Sequence, residues 1–397
     1  MKPVDFIGAF VPLIGHHNLL VAEGDEHERA RRMVNPAFHH VSLKSVVPII
    51  SNQTARAIDK LLSKFSHHHK QDSIDLQVEF NALTLSIIAS SAFGLGFETI
   101  NNANGTICQI FTEILDAVAY RSMIMVNQIP LLSKLPLWKK GVIDKGAREV
   151  GELVDQIIAD RRQARSSSLS DGADLLDLLL SAVDDEEKPF SDQEIKEQSL
   201  AFVLAGSETT GNLMVWMFYV LMTHKNVLEA CRQEVDRVLP NGTELSNEHL
   251  SELFVCEAVI NETLRLYPPA PFFSRHCIRE HYIGSERKLR VPVGTGIVVN
   301  NYVLHRRGDL WPRPLEFDYN RWMRDPKTGL KPKLPHPFAF LPFAAGPRNC
   351  IGQNFALLEA KIMLAMFVQR CDFDLVAGQK IVPEGKITMR AKYGLLA

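Results

Sequence analysis

The chain has 397 residues, 46% of them hydrophobic, enough to build a large core. Its 44 Lys and Arg against 46 Asp and Glu give a formal net charge of -2 with the basic residues dispersed, so no nucleic-acid partner is expected. Six cysteines with no secretory signal, no C-x-x-C and no C-x-x-H argue against a disulfide framework and against zinc, and for a reducing compartment.

Helical periodicity dominates. It predicts helices over 25–38, 43–65, 77–93, 107–120, 144–165, 174–182, 192–224, 225–239, 247–266 and 352–370, with strands confined to 288–291, 296–300 and 386–390. Ser191-Asp192-Gln193-Glu194 reads as a capping box at the head of the longest helix. Ser166 to Gly172 reads as a flexible loop, and His67-His68-His69 as a solvated one. The fold class is mainly α with a small β-sheet portion. No repeat or linker appears, so one domain over 1–397 is expected.

Two stretches raise the question of a membrane. From Gln198 to His224 the only charged side chain is Glu208, and the length exceeds the roughly 20 residues that cross a bilayer. Its middle, Gly206-Ser207-Glu208-Thr209-Thr210-Gly211, is polar where a span is most apolar, which favours a buried central helix. The run 123–132 is apolar, too short to span and broken by Pro130, and reads equally as a buried loop or a shallow dip into a bilayer.

Cys350 stands in Phe343-Ala344-Ala345-Gly346-Pro347-Arg348-Asn349-Cys350-Ile351-Gly352, just before an apolar helical segment. A helix N-terminus and a nearby arginine both favour a thiolate. An inert buried thiol, a nucleophile, a zinc ligand and a haem-iron ligand are the alternatives. Zinc lacks ligand spacing, and the nearest upstream histidine, His336, lies in a proline-rich stretch that suggests no oriented base, which leaves the inert thiol and the haem ligand.

The pattern Phe343-x-x-Gly346-x-Arg348-x-Cys350-x-Gly352 resembles the haem-binding loop of the cytochrome P-450 family, the haem-thiolate monooxygenases. The resemblance implies haem b, iron protoporphyrin IX, with Cys350 as axial ligand, Arg348 on a propionate, Phe343 shielding the sulfur and Gly346 letting backbone approach the porphyrin. Ala205 to Thr210 resembles the family's acid-alcohol pair, implying that Thr209 bonds iron-bound oxygen and Glu208 feeds protons through water. Glu262-Thr263-Leu264-Arg265 resembles the E-x-x-R motif, which joins a downstream arginine, here Arg321, in a structural triad; Tyr319-Asn320 and Trp322 depart from the usual residues around it. His27 and Arg31 match a W-x-x-x-R helix with histidine in place of tryptophan, and Arg275 follows the Pro268-to-Phe273 segment; all three are implied propionate contacts. His305 to Trp311 matches a family loop and reads as structural support.

The implied reaction inserts one oxygen atom from O2 into a lipophilic substrate, with electrons from NADPH-cytochrome P-450 reductase and cytochrome b5 as an allowed second donor. The rivals are a haem-thiolate isomerase or dehydratase needing no reductase, and a non-catalytic truncated remnant. Full-length eukaryotic members place an anchor, a proline hinge, an opening helix and a strand pair ahead of the region matched here. The expectation is therefore an N-terminally incomplete domain of the microsomal type. Its full-length counterpart would sit on the cytosolic face of the endoplasmic reticulum membrane, and this chain would be cytosolic or in peripheral membrane contact.

Overall fold

The computed structural model describes residues 10–39, 43–66, 73–93, 110, 113, 114, 116–118, 120, 121, 135, 137–167, 174–240, 243 and 245–397. The helices are α1 Val11–Ile14, α2 Gly24–Val34, α3 Val47–Ser66, α4 Leu76–Phe93, α5 Lys140–Ser167, α6 Leu175–Ser181, α7 Asp192–Thr223 and α8 Lys225–Val238. They continue as α9 Asn247–Glu252, α10 Phe254–Leu266, α11 Asn301–Leu304 and α12 Gln353–Arg370. The strands are β1 Phe272–His276, β2 His281–Ile283, β3 Leu289–Val291, β4 Gly296–Asn300, β5 Pro383–Gly385 and β6 Met389–Ala391. They form three antiparallel pairs, β1 with β4, β2 with β3 and β5 with β6. The chain is mainly helical with small sheets, as expected. The loop at 67–69, the run 123–132 and half of the helix expected over 107–120 lie outside the described residues, as do 168–172 of the expected loop.

The chain divides into two compact units. The first comprises Met1–Pro36, Ala92–Leu204 and Phe272–Asn300, the second Ala37–Ser91, Ala205–Pro271 and Asn301–Ala397. In the first unit the capping box forms: Ser191 N–H donates to Glu194 Oε2 at 2.8 Å, and Glu194 N–H to Ser191 Oγ at 3.2 Å. This satisfies two backbone donors at the start of α7 and places an acid near its positive end. Arg29 of α2 binds the same glutamate at 2.7 Å and Asp184 at 2.6 Å, which fixes α2 against the α7 N-terminus.

In the second unit the core is built where α4, α7 and α12 meet. Phe80 lies 5.0 Å from Phe218 and 5.3 Å from Phe367, and Phe218 lies 5.7 Å from Phe367, with tilted and edge-on geometries that favour aromatic contact. On α8 the apolar residues Val227, Leu228, Cys231, Val235 and Val238 recur at three and four and are all buried.

The single helix expected over 247–266 is two helices, interrupted at Leu253, whose φ of -83° and ψ of 74° are non-helical. The cause lies elsewhere in the sequence. Glu234 of α8 inserts its carboxylate at the head of α10 and accepts from Val255 N–H at 2.8 Å and Cys256 N–H at 2.9 Å. An anion on those otherwise unpaired donors stabilises a new helix start there.

Candidate functional site

The loop before α12 is closed by its own backbone. Cys350 N–H donates to Phe343 O at 2.9 Å, and Asn349 N–H to Gly346 O at 3.0 Å. Gly346 to Arg348 makes one 3-10 turn, and Gly346 takes a φ of 78°, a left-handed conformation for which glycine is suited. This turn leaves Cys350 exposed three residues ahead of α12, near the positive end of the helix dipole. Among the described residues, Cys231, Cys256 and Cys277 are buried and Cys371 is half-buried. Burial pushes the Cys371 thiol up to about 11, and a hydrogen bond with Cys231, together with burial, pushes Cys256 up. Those thiols are poorly suited to act as thiolates.

Helix α7 is buried on most of its circumference, yet Ala205 is exposed and Gly206 and Thr209 are half-buried. Positions i, i+1 and i+4 share one side of a helix, so these three form an open strip. Thr209 Oγ1 donates back to Ala205 O at 2.7 Å, the local bond open to a hydroxyl within a helix. Glu208 turns to another side, where the C-terminal β-hairpin holds it: Arg390 Nε donates to Oε1 at 2.5 Å and Thr388 Oγ1 at 2.6 Å. The same face continues through Asn212, which donates to Thr388 Oγ1 at 3.2 Å, and Trp216, whose indole donates to Met389 O at 3.0 Å. The spacing 208, 212, 216 presents one stripe of α7 to β6.

Glu262, Arg265 and Arg321 come together as the triad pattern implies. Arg265 donates through Nε to Oε2 and through Nη2 to Oε1 of Glu262, both at 2.8 Å, with both side chains fully buried. Arg321 Nε reaches Oε1 at 3.3 Å. Sequence reasoning missed a further partner: Trp322 Nε1 donates to Glu262 Oε2 at 2.8 Å. Asp318 N–H adds another bond to Oε1 at 2.9 Å, so the buried carboxylate is saturated with donors.

The remaining residues named from sequence lie in the first unit. His27 is buried on α2, and Arg31 Nε donates to Asn35 Oδ1 at 2.9 Å. Arg275 on β1 stacks over Phe273, with 5.3 Å from guanidinium carbon to ring centroid, and donates to Ser274 O at 2.8 Å.

The family model described as Cytochrome P450 matches residues 11–395. The chain belongs to the cytochrome P450 family. It is 29% identical over 377 residues to "Cytochrome P450 3A29" of Sus scrofa, covering 92% of this chain and 71% of that protein. It is 31% identical to "Cytochrome P450 709B1" of Arabidopsis thaliana over 97% of this chain and 72% of the relative. It is 30% identical to "Cyclooctatin synthase" of Streptomyces melanosporofaciens over 96% of this chain and 78% of the relative. A solved structure titled "Crystal structure of cytochrome P450DA heme domain" superposes with a TM-score of 0.81 at 26% identity, covering 98% of this chain and 81% of that one. As a cytochrome P450, the protein is a haem-thiolate monooxygenase that takes haem b on a cysteine thiolate and acts with O2, a lipophilic substrate and a redox partner. The donor set fits that group, since an exposed thiol at a helix start and an open strip on a buried helix are what a thiolate-held macrocycle requires.

Glu359 on α12 was also missed at the level of sequence. It is 0% exposed and neither carboxylate oxygen has a hydrogen-bond partner. Burial raises its pKa well above the ordinary carboxyl value, opposed by the Thr210 hydroxyl. The available signal was one acid inside the apolar run Phe355-Ala356-Leu357-Leu358-Glu359-Ala360.

Proposed function

We propose that this cytochrome P450 inserts one oxygen atom from O2 into a lipophilic substrate with electrons delivered from NADPH by a flavoprotein reductase, cytochrome b5 serving as a second donor. The proposed haem-thiolate domain spans 1–397. The cofactor supplies the iron at which O2 is activated. Cys350 supplies the thiolate, and Phe343 and Gly346 shape the backbone around it. Arg348, Arg31, His27 and Arg275 neutralise the propionates, as guanidinium and imidazole donors suit carboxylates.

Thr209 offers a hydroxyl on the open strip of α7. Glu208 is the acid beside it, oriented by Arg390 and Thr388, and it passes protons from solvent. Glu262, Arg265 and Arg321 hold the segment that leads into the Cys350 loop. The resemblance to named microsomal P450s supports a place at the cytosolic face of the endoplasmic reticulum membrane with peripheral contact; among the described residues no helix is long and apolar enough to cross a membrane.

The observation that carries this reading is the exposed thiol of Cys350 in its backbone-closed loop. Its test is the reduced, carbon monoxide-bound difference spectrum. A strongly red-shifted Soret band in the wild type and in Cys371→Ala, absent in Cys350→Ala, is expected. Persistence of the band in Cys350→Ala would refute the ligand assignment.

A further inference from the structure

The segment His305 to Trp311 holds a fully buried imidazole. His305 Nε2 accepts the backbone N–H of Leu341 at 2.9 Å, nine residues ahead of Cys350. Its own carbonyl accepts from Arg265 Nη1 at 2.9 Å, and its ring packs on Phe340 at 5.2 Å. Phe340 in turn lies 4.5 Å from the Trp322 ring, the indole bound to Glu262. A single residue thus joins the buried Glu262–Arg265 pair to the start of the loop that ends at the cysteine.

We infer that His305 is a positioning residue for the Cys350 loop and that its hydrogen bond to Leu341 is an acid-sensitive latch. An imidazole accepts at Nε2 only when that nitrogen carries no proton, so the neutral ring must be protonated at Nδ1. On acidification a solvent proton binds Nε2, the N–H···N bond to Leu341 breaks, and two donors face each other. The charged groups that act on the ring are Arg265 and Arg306, both cationic, with Glu262 paired to the first of them. Burial, with those two cations, lowers the His305 pKa to about 4. The latch therefore stays closed at neutral pH and opens only well into the acid range.

The inference rests on the reading of Cys350 as haem ligand, and the test separates the two. Wild-type chain, with and without haem, is equilibrated at stepped pH values, pulse-labelled with deuterium at one fixed pH, and analysed by mass spectrometry of peptides covering 335–350. Protection of this segment is expected to drop as the equilibration pH approaches 4, ahead of peptides from α7. His305→Phe, which keeps an aromatic ring and removes the acceptor, is expected to lack that protection already at neutral pH. His305→Gln, whose amide oxygen accepts without titrating, is expected to keep it into acid.

In parallel, loss of the red-shifted carbon monoxide band on acidification should follow the same midpoint in the wild type and be several-fold faster in His305→Phe. Wild-type protection that stays constant until global unfolding, or a Gln variant that opens at the wild-type pH, would overturn the latch. A missing red-shifted band with an intact protection profile would instead overturn the ligand reading alone.

Discussion

Arg390, seven residues from the C-terminus, donates to Glu208 in the middle of α7 at 2.5 Å, with side-chain exposures of 16% and 7%. The acid implied to serve oxygen chemistry is thus held as one half of a largely buried ion pair, and its partner comes from β6.

Removing one side of such a pair leaves an uncompensated charge in a poorly solvated site. Arg390→Met is expected to destabilise the protein by about 3 kcal/mol. Adding Glu208→Gln removes the stranded charge and should recover most of that loss. Urea unfolding of the two variants checks this, and a double variant no more stable than the single one would show that the pair is not the origin.

Thr209→Ala deletes the hydroxyl on the open strip of α7 while keeping a helix-forming residue. The expected outcome is a higher yield of peroxide per NADPH consumed, with the carbon monoxide spectrum unchanged. Unaltered peroxide yield in a haem-replete variant would remove Thr209 from the proton-handling step.

Glu359 holds its proton in the folded state at pH values where the unfolded chain has lost it, because burial raises its pKa above the ordinary 4.5. A raised value means that the folded state binds more protons, so stability from this residue is full below 4.5 and is lost as pH rises toward the folded-state value. Glu359→Gln cannot titrate, and its stability should decline less from acid to neutral pH than that of the wild type. Parallel stability profiles for the two proteins would contradict the buried-acid assignment.

Trp322 supplies a donor to Glu262 that a phenylalanine at this position has no means to supply. Hydrogen bonds to charged groups contribute more than neutral ones, so Trp322→Phe should cost about 2 kcal/mol. Arg321→Gln gives a useful comparison, since the longer 3.3 Å contact predicts the smaller loss. Denaturant midpoints would rank them, and a larger loss from Arg321→Gln would reverse the assignment of the stronger partner.

Much of the site was legible because its residues are close in sequence. The Phe343-to-Gly352 loop, the Ala205-to-Thr210 strip and the Glu262–Arg265 pair each lie within a few turns of chain, so local spacing alone brings their members together. The capping box at Ser191 and Glu194 was legible for the same reason, and it forms as read.

What escaped depends on contacts between distant segments. No local pattern connects Glu234 to the break at Leu253, because the carboxylate caps α10 from another helix. Likewise, nothing around Glu208 signals Arg390, which is 182 positions away, nor does the sequence around His305 signal Leu341, 36 positions on.

Local chain properties were enough for the helical class, for the loop that carries Cys350 and for the motifs that carry the family. Side-chain periodicity and short spacings are properties of the local backbone and survive without knowledge of packing. Packing between distant segments set which buried charges are paired, which thiols are shielded and how His305 reaches the cysteine loop. Desolvation and hydrogen-bond geometry are set by the atoms that surround a group in space, and those come from anywhere in the chain.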